Sequence, residues 1–286
     1  MNHGSLKCRE AVGMAVAVTA LVASSQAAEP AQNQQVVRCA VIGGLNETGF
    51  WPELAERFER ATGHRAELVV TGPKPVIAEV FTSGQADVIT MHASDTIVNL
   101  VADGLAENLQ PWLRSDMVLV GPAADPAGIR GEKDAALALR KIIESKSKLL
   151  VHASLGAGEV LHDLLAAGEM ELDPEQTISL PSDKHRAMLQ RAAAEGAYTL
   201  VGRIPLLNGK LDDGGMEIMV QGDARLRRPY LVAVARRADD QLRLTAARDL
   251  VAFLRSVETQ AWIAEYGRGK YDDQPVFFPV AAPSKQ

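Results

Sequence analysis

Small, polar and cationic residues follow several apolar runs of this 286-residue chain, at places where amides and side chains can converge on a small ligand. Gly43-Gly44 closes the run Val36–Ile42, Thr48 comes soon after it, and Lys74 follows Thr71-Gly72-Pro73. His92, His152, Ser154 and Arg203 each stand at or just beyond the end of another run. Such a set suits an anion. Glycines without a Cβ let the backbone approach a ligand closely. Thr48 and Ser154 carry hydroxyl donors, and Lys74 and Arg203 carry charge, Arg203 in a planar fork that matches oxyanions. Other roles stand beside these. Glycines after strands also make plain turns, Thr48 and Ser154 also suit helix N-caps, and Arg203 also suits pairing with Asp87 or Asp95. A second chemistry is metal capture by His92 and His152, joined by Glu159 and His162, which are three apart on one helix face.

Catalytic chemistry finds no support. Cys39 lies inside an apolar run with no partner, and Ser154 sits in Ala153-Ser154-Leu155-Gly156 rather than a G-x-S-x-G elbow. No P-loop, HExxH or dinucleotide fingerprint occurs, so no enzyme and no cofactor is expected. The charge is −6, from 30 Lys and Arg against 36 Asp and Glu, which excludes a general nucleic-acid footprint. Aromatic residues make up only 5%, too few for a base-stacking platform. At 47% apolar the chain can build a core.

The first 27 residues read as a secretory signal. Lys7 and Arg9 precede the apolar run Ala11–Ala23, and Ser25-Gln26-Ala27 offers small residues at the cleavage positions. That run is shorter than the roughly 20 residues a spanning helix needs. Export to the periplasm with cleavage near Ala27 is expected. The 259 residues that follow carry −7 and one thiol, Cys39.

Periodicity then lays out alternating elements. Val36–Ile42 reads as a buried strand and Pro52–Thr62 as a helix stopped by Gly63. Strands over Ala66–Val70 and Ala86–Thr90 flank a helix over Pro75–Ser83, and a helix over Ser94–Asp103 precedes a strand over Met117–Val120. Gly121-Pro122-Ala123-Ala124-Asp125-Pro126 reads as the first hinge crossing. Beyond it, helices over Asp134–Ser145, Glu159–Ala167 and Asp183–Glu195 alternate with strands at Lys148–His152 and Ala197–Val201. Ile218–Val220 and Tyr230–Ala235 flank a return segment, and helices over Asp240–Ser256 and Thr259–Tyr266 close the chain. This alternation predicts an α/β clamshell of two lobes, each a mixed, mostly parallel sheet flanked by helices, joined by two hinge crossings. Lobe 1 comprises 36–120 and 221–286, and lobe 2 comprises 121–220. A small ligand is expected between them at strand C-terminal ends.

The order of several short motifs resembles the periplasmic solute-binding proteins of ABC importers, in particular the tungstate-binding group. Phe58-Glu59-Arg60-Ala61-Thr62-Gly63 matches F-x-x-x-T-G, and Gly84-Gln85-Ala86-Asp87-Val88 with His92-Ala93 matches G-x-A-D-V…H-A. Val101–Gly104 follows as V-A-D-G. Val120-Gly121-Pro122, Asp125-Pro126-Ala127-Gly128-Ile129 and Gly131 match V-G-P-x-x-D-P-A-G-I-x-G. Tyr198-Thr199-Leu200 with Arg203 resembles Y-T-L-x-x-R, and Gln221-Gly222-Asp223 with Pro229-Tyr230 resembles the return crossing. The resemblance implies a type II periplasmic-binding-protein fold, a tetrahedral oxyanion such as tungstate or molybdate as ligand, an inner-membrane ABC permease as partner, and a monomer. The chain departs from the group at its ligand loops. Gly43–Gly49 replaces a Thr/Ser-rich loop, Gly72-Pro73-Lys74 replaces Gly-Thr-Gly, and His152–Gly158 lacks the arginine of Arg-Gly-Asp-x-Ser-Gly-Thr. A transition metal or small organic acid is the alternative ligand, and periplasmic sensing the alternative to transport.

Overall fold

The computed structural model describes residues 34–152, 155–180, 187–209, 214–237 and 240–280, together with Met1. The expected signal segment, Ser154 and the expected start of the helix from Asp183 lie outside the described residues.

Strands β1 (Val36–Ile42), β2 (Arg65–Gly72) and β3 (Val88–His92) pair in parallel in the order β2-β1-β3. Helices α1 (Gly43–Glu47), α2 (Phe50–Thr62), α3 (Lys74–Thr82) and α4 (Asp95–Ala102) connect them and lead onward. The long strand β4 (Ala106–Pro122) follows, then α5 (Ala135–Glu144), β5 (Leu149–His152), α6 (Leu155–Ala167), β6 (Thr177–Leu180), α7 (Met188–Glu195), β7 (Tyr198–Gly202) and α8 (Arg203–Leu207). β5, β6 and β7 form a second parallel set in the order β6-β5-β7. The chain ends with β8 (Met216–Val220), β9 (Arg227–Ala235), α9 (Gln241–Leu254), α10 (Val257–Glu265) and β10 (Phe278–Pro279). The antiparallel strands β9, β4 and β8 complete the two sheets.

Each helix buries the stripe its sequence prescribes. In α2, Phe50, Trp51, Leu54 and Phe58 are buried at helical spacing, and Gly63 ends the helix at φ 75°, a conformation only glycine adopts freely. Two principal cores result. One joins β1, β3 and β9 to α2, α3 and α9, and the other packs α5 and α6 against β7 and the second half of β4. An aromatic cluster anchors the C-terminal segment to the first core, where Phe50 stacks on Trp262 at 4.8 Å and meets Phe277 at 4.6 Å.

β4 belongs to both sheets. Residues up to Asp116 pair with β9, ending on Asp116 opposite Arg227, and from Met117 the strand pairs with β7. The change of sheet therefore falls between Asp116 and Met117, ahead of the expected crossing at Gly121. The first half of β4 is invisible to periodicity because its register slips twice, between Glu107 and Gln110 and between Pro111 and Leu113, with Asn108 at φ 54°. Irregular pairing removes the two-residue alternation that marks a strand. α1 is a second departure, since Gly43-Gly44 begins a helical turn rather than a loop.

The segment after β4 explains its own motif. Asp125, at φ 43°, accepts hydrogen bonds from the amides of Ile129 (3.1 Å) and Arg130 (2.8 Å) and from the Tyr198 hydroxyl (2.7 Å). The same hydroxyl accepts from the Ala127 amide at 2.9 Å, so one phenol pins the turn to β7. Tyr198→Phe should lower unfolding stability by about 1–2 kcal/mol, because it leaves the part-buried Ala127 amide without its acceptor and removes a bond to a charged group. A denaturant titration checks this, and an unchanged midpoint would remove the pin.

Candidate functional site

Parallel strands put their following helices at one edge of each sheet, so the starts of α1, α3 and α4 gather on one side and those of α6 and α8 on the other. Neither α3, entered from Pro73, nor α4, entered from Ser94, has a side-chain cap. Amides at such helix starts favour negative charge.

Three side chains with strong mutual influence occupy this region. Lys74 opens α3 and is partly buried. Burial, and then the nearby charge of Arg228, lower its pKa, against the opposing carboxylates of Glu159 and Asp95. Arg228 lies in β9, where burial also disfavours its charge, against Glu159 and Tyr230. Its guanidinium packs on Gly156 in the first turn of α6, leaving no room there for a Cβ. His92 ends β3, and its pKa is pushed down to about 3 by burial and by the charges of Arg228 and Lys74. It is therefore a neutral imidazole, 4.1 Å between centroids from the buried Tyr230 ring. Tyr230 in turn puts its hydroxyl 3.8 Å from where a Cβ on Gly44 would stand. Neither Lys74 nor Arg228 makes a hydrogen bond or ion pair with another residue among those described. Two cations and a neutral N–H donor thus meet, with no carboxylate of the described residues bound to them. Electrostatically this favours an anion.

The residues named from sequence divide. Lys74, His92 and Gly44 lie in this cluster, and Glu159 reaches it electrostatically from α6. Gly43 faces only the Glu47 side chain, so its missing Cβ is no opening toward a ligand. Thr48 is buried with its hydroxyl donating to the carbonyls of Gly44 (3.0 Å) and Leu45 (3.2 Å), which makes it a helix-end fastener rather than a ligand donor. His152 is buried and lines an apolar cavity of about 10 Å³ with Leu119, Leu149 and Leu161, inside the second core. His92 instead lies beside Tyr230, Lys74 and Arg228, and His162 is exposed on α6. Among the described residues no three His, Cys, Asp or Glu side chains gather as a metal set. Cys39 is buried with its thiol on the Val37 carbonyl, and burial pushes its pKa up.

Arg203 is also placed elsewhere. It is fully buried and donates to the Pro275 carbonyl at 2.8 Å and to both Asp272 oxygens at 2.5 and 2.7 Å. The structural pairing weighed for it exists, with Asp272 in place of Asp87 or Asp95. Arg228 is the cation that sequence reasoning passed over. One signal was available, because Arg228 and Tyr230 are two apart in a strand and share a face. The Pro-Tyr motif therefore carries its neighbouring arginine into the site.

Residues 41–268 match the model of a family described as bacterial extracellular solute-binding protein. The tungstate-binding protein TupA of Peptoclostridium acidaminophilum is 28% identical over 89% of each chain. A putative ABC transporter anion-binding protein of Haloferax volcanii is 30% identical over 86% of this chain and 72% of that one. Among solved structures, the tungstate-binding protein of Desulfovibrio alaskensis G20 aligns with a TM-score of 0.69 at 24% identity, covering 86% of this chain and 99% of that one. That of the tungstate ABC transporter from Geobacter sulfurreducens aligns at 0.62 and 23% identity, over 81% and 98%. These structures share the two-lobed fold of type II periplasmic binding proteins, and the sequence match reaches from β1 to beyond α10. This chain belongs to the bacterial extracellular solute-binding protein family.

Proposed function

We propose that this protein captures a small oxyanion, of the tungstate and molybdate class, between its two lobes in the periplasm and delivers it to an ABC permease of the inner membrane. The observation that carries the reading is the cation pair Lys74 and Arg228, half-buried beside the neutral His92 and without a carboxylate ion pair among the described residues. The relatives, named tungstate-binding and anion-binding proteins, support the same ligand class. Gly44 lets the β1–α1 turn approach the ligand, Lys74 supplies a point charge, Arg228 a fork and His92 an N–H. Gly156, in the first turn of α6, brings the second lobe against Arg228. Contacts from both lobes then favour the closed state, since a ligand shifts an equilibrium only by its differential affinity for the two states. The lobes are taken as 36–120 with 221–286, and 121–220. A transition metal fits less well, because Lys74 and Arg228 repel a cation at His92.

A thermal-shift screen with tungstate, molybdate, sulfate, phosphate, zinc and citrate tests the ligand class. Oxyanions are expected to raise the melting temperature and zinc to leave it unchanged, because a ligand bound only to the folded state stabilises by mass action. Calorimetric titration of Lys74→Ala with the best anion should show affinity weakened roughly tenfold or more, the usual worth of a charge-assisted hydrogen bond. A zinc shift without an anion shift would overturn the reading, and undiminished binding would remove Lys74 from the site.

A further inference from the structure

The residue at which β4 changes sheets carries a buried charge that its surroundings leave unsatisfied. Asp116 is the last residue of β4 paired with β9, and its neighbour Met117 is the first paired with β7. Its side chain is fully enclosed, and neither carboxylate oxygen has a hydrogen-bond partner on another described residue. The charged groups facing it come from three elements. Arg203 at the start of α8 approaches to 3.9 Å, Arg227 stands opposite in β9, and Asp272 lies in the segment after α10. The end of β7 contributes only Gly202, and beyond β8 stands the uncharged Gln221. The two arginines are themselves imperfectly met, since Nε of Arg203 and Nε of Arg227 have no partner among the described residues, and neither has Oε1 of Gln221. Arg203 keeps its terminal nitrogens on Asp272 and Pro275, so the guanidinium ties α8 to the C-terminal segment rather than to Asp116. Four charges from four segments thus meet at the crossing between the lobes, and one of them is ionised only at a cost.

We propose that Asp116 is a proton-binding site of the hinge, whose protonation favours the lobe arrangement described here and whose ionisation favours one that lets water reach the carboxylate. Burial outweighs the attraction of Arg203 and Arg227 and pushes the Asp116 pKa up to about 6 in this arrangement. The sign follows from linkage. A carboxyl whose pKa is higher in one state stabilises that state when protonated and loses the effect as pH rises through the raised value. In this arrangement α6 is seated on Arg228, so the two lobes meet at the cations of the proposed anion site. Anion binding there takes up part of a proton at Asp116, and affinity rises as pH falls from neutral toward 5. That second step rests on the oxyanion reading; the first does not.

The test measures the distance between lobes in the full chain, with spin labels at Arg60→Cys on α2 and Glu144→Cys on α5. A Cys8→Ser background is used, and the buried Cys39 does not react. Between about pH 7.5 and about pH 5 the wild-type distribution should shift toward one narrow population, and Asp116→Asn should show that narrow population at both pH values. The asparagine keeps the shape of the carboxyl without its charge. A wild-type distribution that ignores pH, or an Asp116→Asn protein that keeps the wild-type response, overturns the proposal. Calorimetry with sulfate, a dianion throughout this range, should show severalfold tighter binding at the lower pH in wild type and none of that gain in Asp116→Asn. If the oxyanion reading fails, wild type binds no sulfate, tungstate or molybdate, and the distance measurement still decides the hinge.

Discussion

Arg228→Ala is expected to weaken oxyanion binding by about a hundredfold or more, while leaving the melting temperature of the ligand-free protein close to wild type. The two halves of that expectation have one cause. Arg228 makes no hydrogen bond or ion pair with another described residue, and burial disfavours its charge, so removing it breaks no structural pairing and relieves a penalty. A bound anion is what would satisfy the guanidinium, and truncating one partner of an enclosed charge pair typically costs 2–5 kcal/mol or more. Arg228→Lys should recover only part of the affinity, because an ammonium is a point charge and cannot bond two oxygens of one anion in parallel. Gly156→Ala gives an independent check. Its new methyl would occupy the space of the guanidinium, so affinity should fall although every charge is kept. Calorimetric titrations of the three variants with tungstate settle the matter. Wild-type affinity in Arg228→Ala would show that the arginine only fills space beside α6.

The largest effect on stability is expected at Asp87. Asp87→Ala should cost about 3–5 kcal/mol, the usual penalty for removing one partner of a buried ionic group. For a chain of this size that lowers the melting temperature by on the order of 10 °C. Asp87 is fully buried and accepts from the Arg38 amide (2.9 Å), Arg38 Nε (3.1 Å) and Arg243 Nε (3.0 Å), with Arg237 in close contact as well. Arg237 also reaches the carbonyls of Gly84 and Ala86, so one carboxylate joins β1, the turn before β3, and the segment leading into α9. Without it three guanidinium groups crowd one enclosed spot with no counter-charge. Burial alone would raise the Asp87 pKa, but the hydrogen bonds and charge of Arg38 and the charge of Arg243 outweigh it and hold it below the usual value. The contribution is therefore complete above the unfolded-state pKa of about 3.9 and is lost as pH falls through the lower folded value. Wild type should lose this increment on acidification below about pH 4, and Asp87→Ala should lack that step. Equal stability of the two proteins at neutral pH would contradict the argument.

Asp87 also shows why the fold was legible. Gly84-Gln85-Ala86-Asp87-Val88 is visible as a motif, and its conformational needs are local, since Gly84 turns at φ 81° and Val88 begins the buried β3. The same holds for Val36–Ile42, for the helix stopped at Gly63, and for Asp125 with its left-handed turn. Periodicity and turn chemistry act over a few residues, so one chain displays them. β4 was only half seen, because its slipped register with β9 is stabilised by a partner more than a hundred residues away and leaves no alternation of its own.

Order along the chain thus determined the alternation of strands and helices, the two-lobed class, and the candidacy of Lys74, His92 and Gly44. Only the tertiary structure decided which of two arginines is left without a partner among the described residues. Arg203 and Arg228 are alike in charge and donors, and each stands beside the end of a strand. What separates them is distant in sequence. Asp272 and the Pro275 carbonyl close around Arg203, whereas Arg228 lies against Gly156 with no hydrogen-bond or ion-pair partner among the described residues. Solvation and pairing set the role of a charge, and both depend on neighbours that the fold assembles.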